Sequence, residues 1–310
     1  MLRHILLSAC FLLCTQILTY GQCCSAGNPS SFSFADINSL KAKTLFLSSS
    51  YKYGYSGKYY AGNEPEEVSF TAPASYSFID LKAAYGITKR LTIQASSGYF
   101  FSKEQQNPEP YASDIGYGLG DAELNVRYQA YKSVIKHIEF TASAGIHLPV
   151  GVFDLEKDGV KLPITVQPSS GSFVYMGGFS VAKTFNKNKL KLFSSVFAEF
   201  PQLIDSKNFY YHYGNLYSLS FTAAYPVHKL FNPALQVQAE IREHATREDE
   251  QVVNASGYKV IILTPHIESG FGNNWSVSVY ADLPIYRYFN GMQLANSYKF
   301  GIRLAKNLSF

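Results

Sequence analysis

After its first twenty residues the chain has no apolar run approaching the roughly 18 to 20 residues that a membrane-spanning helix needs, which excludes a helical membrane protein. Tryptophan occurs once, methionine three times and cysteine four times in 310 residues. Charge is scarce: Asp, Glu, Lys and Arg make up 16% of the chain, against about 25% in ordinary soluble domains. The formal net charge of +4 is too small an excess for a nucleic-acid partner. No linker-like stretch divides the chain. Aromatics, by contrast, are plentiful at 15%, with 24 Tyr and 23 Phe.

The start, Met1-Leu2-Arg3-His4 followed by an apolar run from Ile5 to Leu18 and then Thr19-Tyr20-Gly21, reads as a secretory signal peptide over residues 1–21. Residues 22–43 are then expected as an N-terminal periplasmic or plug segment, and 44–310 as the folded domain. Loss of Arg3 with the leader lowers the formal charge from +4 to +3. Cys10 and Cys14 leave with it, so Cys23-Cys24 stands at the new N-terminus. Three chemistries compete there: a disulfide in an oxidising compartment, a lipidated cysteine, or a thiolate metal site. Gln22 suits lipidation poorly, and two thiolates without a nearby His are half a metal site, so the oxidised segment is favoured; no metal or other cofactor is expected.

From residue 44 onward apolar and polar residues alternate in twelve segments: 44–54, 75–86, 90–101, 119–131, 137–149, 172–185, 189–200, 215–225, 233–244, 258–270, 275–284 and 297–310. Alternation with period two marks strands, and no helical segments intervene to cover them. Connections alternate between long (55–74, 102–118, 150–171, 201–214, 245–257, 285–296) and short (87–89, 132–136, 186–188, 226–232, 271–274). Long on one side and short on the other is the pattern of outer-membrane barrels, whose strands need about 9 to 11 residues to cross hydrocarbon. The expected fold is therefore an all-β, antiparallel, up-and-down transmembrane barrel of about 12 strands, with 10 or 14 as alternatives. The last strand, Ser297 to Phe310, resembles the C-terminal signal by which bacterial outer-membrane barrels are recognised for assembly. That implies a Gram-negative cell outer membrane as destination, with outer-membrane lipid and the barrel-assembly machinery as partners.

Within strands the two faces separate. Ala122, Leu124, Val126, Tyr128 and Ala130 oppose Asp121, Glu123, Asn125, Arg127 and Gln129; Leu235, Val237, Ala239 and Ile241 oppose Gln236, Gln238, Glu240 and Arg242. A basic residue placed in lipid near the midplane costs about 2 to 4 kcal/mol, so the polar set must face the lumen. Lys183 and Lys306 fall on the outward phase near strand ends, where lysine snorkels to the interface at little cost. The inward phase collects Lys52, Lys82, Arg127, Lys191, Arg242, Lys299 and Arg303 against Asp80, Asp121, Glu123, Glu139, Glu199, Glu240, Glu268 and Asp282. Such sign balance points to cross-lumen ion pairs, with Arg127–Glu139 as the expected one. Asp121, Glu123, Arg127, Glu139, Glu240, Arg242 and Arg303 are the expected polar constriction, and Phe100, Phe193 and Phe197 the expected apolar path.

No catalytic set is expected. A lipid-hydrolysing barrel needs His beside Ser on its lipid face, but His147 and His266 are inward, and the outward Ser97 and Ser194 have no outward His in phase. Gly116-Tyr117-Gly118-Leu119-Gly120-Asp121 lacks the dinucleotide spacing and precedes a strand. That run, together with Ile146-His147-Leu148-Pro149-Val150-Gly151, Leu162-Pro163 and Gln167-Pro168-Ser169-Ser170-Gly171-Ser172, resembles the outer-membrane transporter family named for the meta-pathway of phenol degradation, most clearly over residues 115–200. The resemblance implies a channel for a small, aromatic or apolar solute. The alternative is a plugged structural barrel acting through surface loops such as Phe209-Tyr210-Tyr211-His212-Tyr213.

Overall fold

A computed structural model describes residues 39–68, 72–107, 112–185, 190–206, 209–228 and 230–310. The expected signal peptide, the expected plug segment as far as residue 38 with its Cys23-Cys24, and the turn expected at 186–188 lie outside the described residues. The strands run β1 (Thr44–Gly62), β2 (Glu64–Glu66), β3 (Ala74–Gly86), β4 (Leu91–Gln105), β5 (Asp114–Ser133) and β6 (Ile138–Leu148). They continue with β7 (Glu156–Lys157), β8 (Val160–Lys161), β9 (Val174–Phe185), β10 (Leu190–Pro201), β11 (Ile204–Ser206) and β12 (Phe209–Tyr211). The chain closes with β13 (Leu216–Ala224), β14 (Asn232–Arg242), β15 (Tyr258–Phe271) and β16 (Trp275–Ser309). The helical element among the described residues is one 3-10 turn at Glu248–Glu250.

Each long strand bonds antiparallel to its neighbours in the order β1-β3-β4-β5-β6-β9-β10-β13-β14-β15-β16, and β16 returns to β1 to close the wall. Closure leaves no edge whose N–H and C=O groups would meet lipid unsatisfied. β2 bonds to the outer end of β1 outside this ring, and β7–β8 and β11–β12 are hairpins within loops.

β16 supplies two arms. Its first part pairs with β15 from Trp275 to Phe289 and its later part pairs with β1 down to Ser309. The reversal passes Gly291, whose φ of 64° suits a residue without Cβ. The arms lie side by side, since Asn307 N–H donates to Asn274 O at 3.0 Å and the Arg303 guanidinium donates to Ser278 Oγ. Eleven labelled wall strands therefore make twelve crossings, as the alternation indicates. The expected loop at 285–296 is this hairpin, and β1 continues to Gly62 through the first residues expected as loop.

The two faces are as the pleat requires. Leu81, Leu124, Val126, Phe179, Val196, Leu235, Val237, Phe300, Ile302 and Leu304 are exposed, whereas Phe46, Phe78, Asp80, Phe100, Phe193, Phe197 and Glu199 are buried inside. A barrel with a continuous apolar exterior and a charged interior is a membrane protein of the outer-membrane type. Lys306 Nζ stands 4.7 Å from the ring centroid of Trp275 and Lys183 Nζ 4.6 Å from that of Phe185; both outward lysines cover aromatic rings at the short-turn end.

Candidate functional site

The lumen is built where inward residues of adjacent strands converge. On β3 and β4, Phe78 and Phe100 approach to 4.5 Å between ring centroids, with Tyr76 edge-on to Phe100 at 6.2 Å. Phe100 is 1% exposed. Beside this cluster Lys52 Nζ pairs with Asp80 Oδ1 at 2.7 Å and lies 5.7 Å from the Phe78 ring centroid. Phe193 and Phe197 are also inside, but they project from β10, four strands further round the wall. The three phenylalanines expected as one apolar path thus occupy two separate parts of the wall.

The seven expected constriction residues all lie on the inward side, at different heights. Asp121 accepts from the Ser169 hydroxyl, from the Ser170 hydroxyl at 2.5 Å and from Ser170 N–H at 3.1 Å. Glu123 gathers Gln94 Nε2 and Ser96 Oγ, each at 3.4 Å, with His147 Nε2 at 3.8 Å. Arg242 pairs with Glu199 at 3.2 Å and donates to Gly214 O, at the outer end of β14. Glu240, next on the same face, ends a ladder in which Gln236 Nε2 donates to Gln238 and Gln238 Nε2 donates to Glu240, both at 2.8 Å. Arg303 rests on Ser278. Arg127 lies opposite Thr92 and Ser143, near the inner end of β4.

Glu139 has a partner that alternation does not name. The β5–β6 register sets Lys132, not Arg127, opposite Glu139, and the two side chains meet at 3.1 Å. An irregularity between Gln129 and Tyr131 adds one residue to β5. It brings Lys132 rather than Tyr131 opposite Glu139, whereas Arg127, before the irregularity, faces Ser143.

The loop between β6 and β9 supplies what alternation alone misses. Expected as an outer loop over 150–171, the segment from 149 to 173 instead turns into the outer mouth. Val166, Gln167, Ser169 and Ser172 are each at most 1% exposed. Gln167 is clamped by its own segment: its Oε1 accepts from Leu155 N–H, and its Nε2 donates to Leu155 O and Leu162 O. Lys103 Nζ, from the inner face of β4, donates to Gln167 O at 2.7 Å. Val152 N–H donates to Leu119 O at 3.0 Å, and the Thr165 hydroxyl to Gln105 Oε1 at 3.0 Å. Inward Gly116 leaves the room: a Cβ there would stand 1.8 Å from Val166 O.

On its far side the same segment joins the other long loops. Phe153 meets Phe209 edge-on at 6.1 Å, Lys161 Nζ stands 4.1 Å from the Phe153 ring centroid, and the Tyr213 hydroxyl donates to Ser170 O at 3.1 Å. Ile204, Tyr211 and Ala245 form the buried centre of this cap, with Ile164, Phe209, Tyr213 and Val253 packed around it. The motifs at 116–121, 149–151, 162–163 and 167–172, separated along the chain, therefore meet at one junction between the mouth loop and β5. The sequence signal for this was their non-alternating apolar and hydroxyl content inside a stretch otherwise expected to be solvated.

Fold and lumen together define an outer-membrane β-barrel. Two solved structures place it among such barrels. An outer membrane channel from Pseudomonas putida F1 superposes with a TM-score of 0.71 at 12% sequence identity, covering 90% of this chain and 100% of that one. The transport unit of the autotransporter AIDA-I from Escherichia coli superposes at 0.51 and 10% identity, covering 92% and 95%. At such identities the likeness is one of fold. No protein-family model matches the sequence, and no curated protein matches it.

Proposed function

We propose that the protein is an outer-membrane channel for passive or facilitated passage of a small solute with aromatic or apolar character. The observation that carries this reading is the lumen wall itself, in which the Tyr76–Phe78–Phe100 cluster sits beside the paired Lys52 and Asp80, and Arg242 pairs with Glu199 elsewhere on the wall. Paired charges present little net field to a neutral solute, while aromatic faces give it an apolar surface to move along. The resemblance of residues 115–200 to the phenol meta-pathway transporters and the fold shared with a solved channel support the same reading. Its partners are outer-membrane lipid, the assembly machinery and the solute.

Reconstituted barrel in vesicles provides the test. Swelling or uptake with a series of neutral aromatic solutes should exceed that with sugars of equal size, and deletion of residues 22–43 should not abolish it. Flux equal to that of empty vesicles for every solute, with and without residues 22–43, would overturn the channel. The loop-binding alternative is weakened by Tyr211, which is 5% exposed and forms part of the loops' own core, so that side chain is not displayed to a partner.

A further inference from the structure

The mouth loop is fastened to the wall in an uneven way. Where it crosses β4 and β5 it meets the inward Gly116; Val152, Ser169, Ser170 and Thr165 donate hydrogen bonds to the wall, Gln167 O accepts one from Lys103, and Lys157 Nζ reaches Ala112 O, Ser113 O and the Asp114 carboxylate. The loop's Val152 and Leu155 stand there against Gly118 and Gly116, so what they meet on β5 at those positions is backbone. Across the mouth, by contrast, Phe153 and Ile164 pack into the apolar cluster with Phe209, Ile204 and Tyr211. A segment bound by apolar packing on one side and by exchangeable hydrogen bonds on the other has a hinge side and a release side.

Of the wall groups on the release side, Asp121 takes the most hydrogen bonds from the loop. β5 carries an irregularity opposite Gly98, where Ser97 pairs with Ala122 but Tyr99 pairs with Leu119, so Gly120 and Asp121 together face a single residue of β4. This bulge turns the Asp121 carboxylate toward the mouth, where it accepts the Ser169 hydroxyl, the Ser170 hydroxyl and Ser170 N–H. Three bonds to one carboxylate are charge-assisted, as are those of Lys103 and Lys157, and Asp121 gathers the most of them on one group. We propose that residues 149–173 form a lid over the outer mouth and that Asp121, through Ser169 and Ser170, is the latch that holds it closed. The inference deepens the channel reading and rests on it, because the lid would regulate entry to that lumen.

The test separates the two. In a C23S/C24S background, V166C places a thiol on the lid itself, at a site that is 1% exposed where the lid meets Gly116 of the wall. Maleimide labelling of this thiol in the vesicle-reconstituted barrel reads lid opening without reference to transport. D121N and, independently, S169A/S170A should each raise the labelling rate about tenfold or more, the scale of losing hydrogen bonds to a charged group. A D121C/S170C disulfide, formed without V166C, should lower aromatic-solute flux, with restoration by reductant. Labelling rates within about twofold of the parent in both latch variants would overturn the latch. Faster labelling in variants whose flux equals that of empty vesicles would uphold the latch and sink the channel instead.

Discussion

Lys52 and Asp80 show how much a single inward residue decides. Their side chains are 9% and 12% exposed and their charged atoms are 2.7 Å apart. Removing one partner of a buried pair leaves a charge without its counterion, at a cost of about 3 to 5 kcal/mol. Lys52→Met should therefore lower the urea midpoint of the folded barrel strongly, and adding Asp80→Asn should recover much of the loss; a double variant no better than the single would show that the pair is not the unit of stability. Gly98 is a second such position: a Cβ there would lie 2.2 Å from Phe78 Cζ and 2.5 Å from Ile79 O. Gly98→Val should cost about 1 to 3 kcal/mol by overpacking and should shift the near-ultraviolet aromatic signal of the Phe78–Phe100 pair. Which residues face inward was legible from alternation at this scale. Which of them touch was not: a one-residue irregularity sets Lys132 rather than Tyr131 opposite Glu139, and the two pair. Nothing in the period-two pattern marks where such a slip falls.

Individual strands were readable because each satisfies one constraint, apolar residues toward lipid and polar residues toward the lumen. β5 makes this testable. Val126 is 45% exposed on its outer face, so Val126→Arg should destabilise the barrel by about 2 to 4 kcal/mol near the midplane. Asn125→Arg, one residue away on the lumen side, should cost far less. Equal losses in urea unfolding of the two variants would refute the face assignment. Loops obey no comparable constraint, and here expectation and structure part. Val152, Phe153, Leu155, Leu162 and Val166 are apolar without a period, so the segment carrying them reads as solvated loop although Val166 and Leu162 are buried. The acidic tips behaved as charge runs should: Glu64–Glu66 and Glu248–Glu250 are exposed throughout. The hairpin within β16 was hidden for another reason. Its tip carries Asn290-Gly291, a pair that favours a tight reversal, but its residues stay extended on both sides of Gly291, so what reads as a loop over 285–296 is strand almost to the turn.

At the scale of the whole barrel, the outward aromatics mark how much of the wall sits in hydrocarbon. Tyr99, Tyr117, Tyr175 and Tyr217 are exposed toward the long-loop end, and Tyr85, Tyr128 and Phe271 toward the short-turn end. Along β5 the two belts are separated by the stretch from Tyr117 to Tyr128, and just beyond β13 by that from Tyr217 to Tyr225. With a rise of about 3.3 Å per residue and a tilt of about 40°, those stretches span roughly 20 to 28 Å, the height of the apolar band expected of a bacterial outer-membrane barrel. Aromatic rings anchor at the interface, and mismatch between this band and the bilayer costs fractions of a kcal/mol per Å. Folding into vesicles should accordingly be fastest, and the folded state most resistant to urea, in lipids whose hydrocarbon core is near 25 Å. Both should decline as acyl chains are lengthened beyond that thickness. A stability that climbs steadily with chain length up to a core of about 32 Å would mean that the tyrosines do not bound the buried band, and that the lipid-facing wall extends into the long loops.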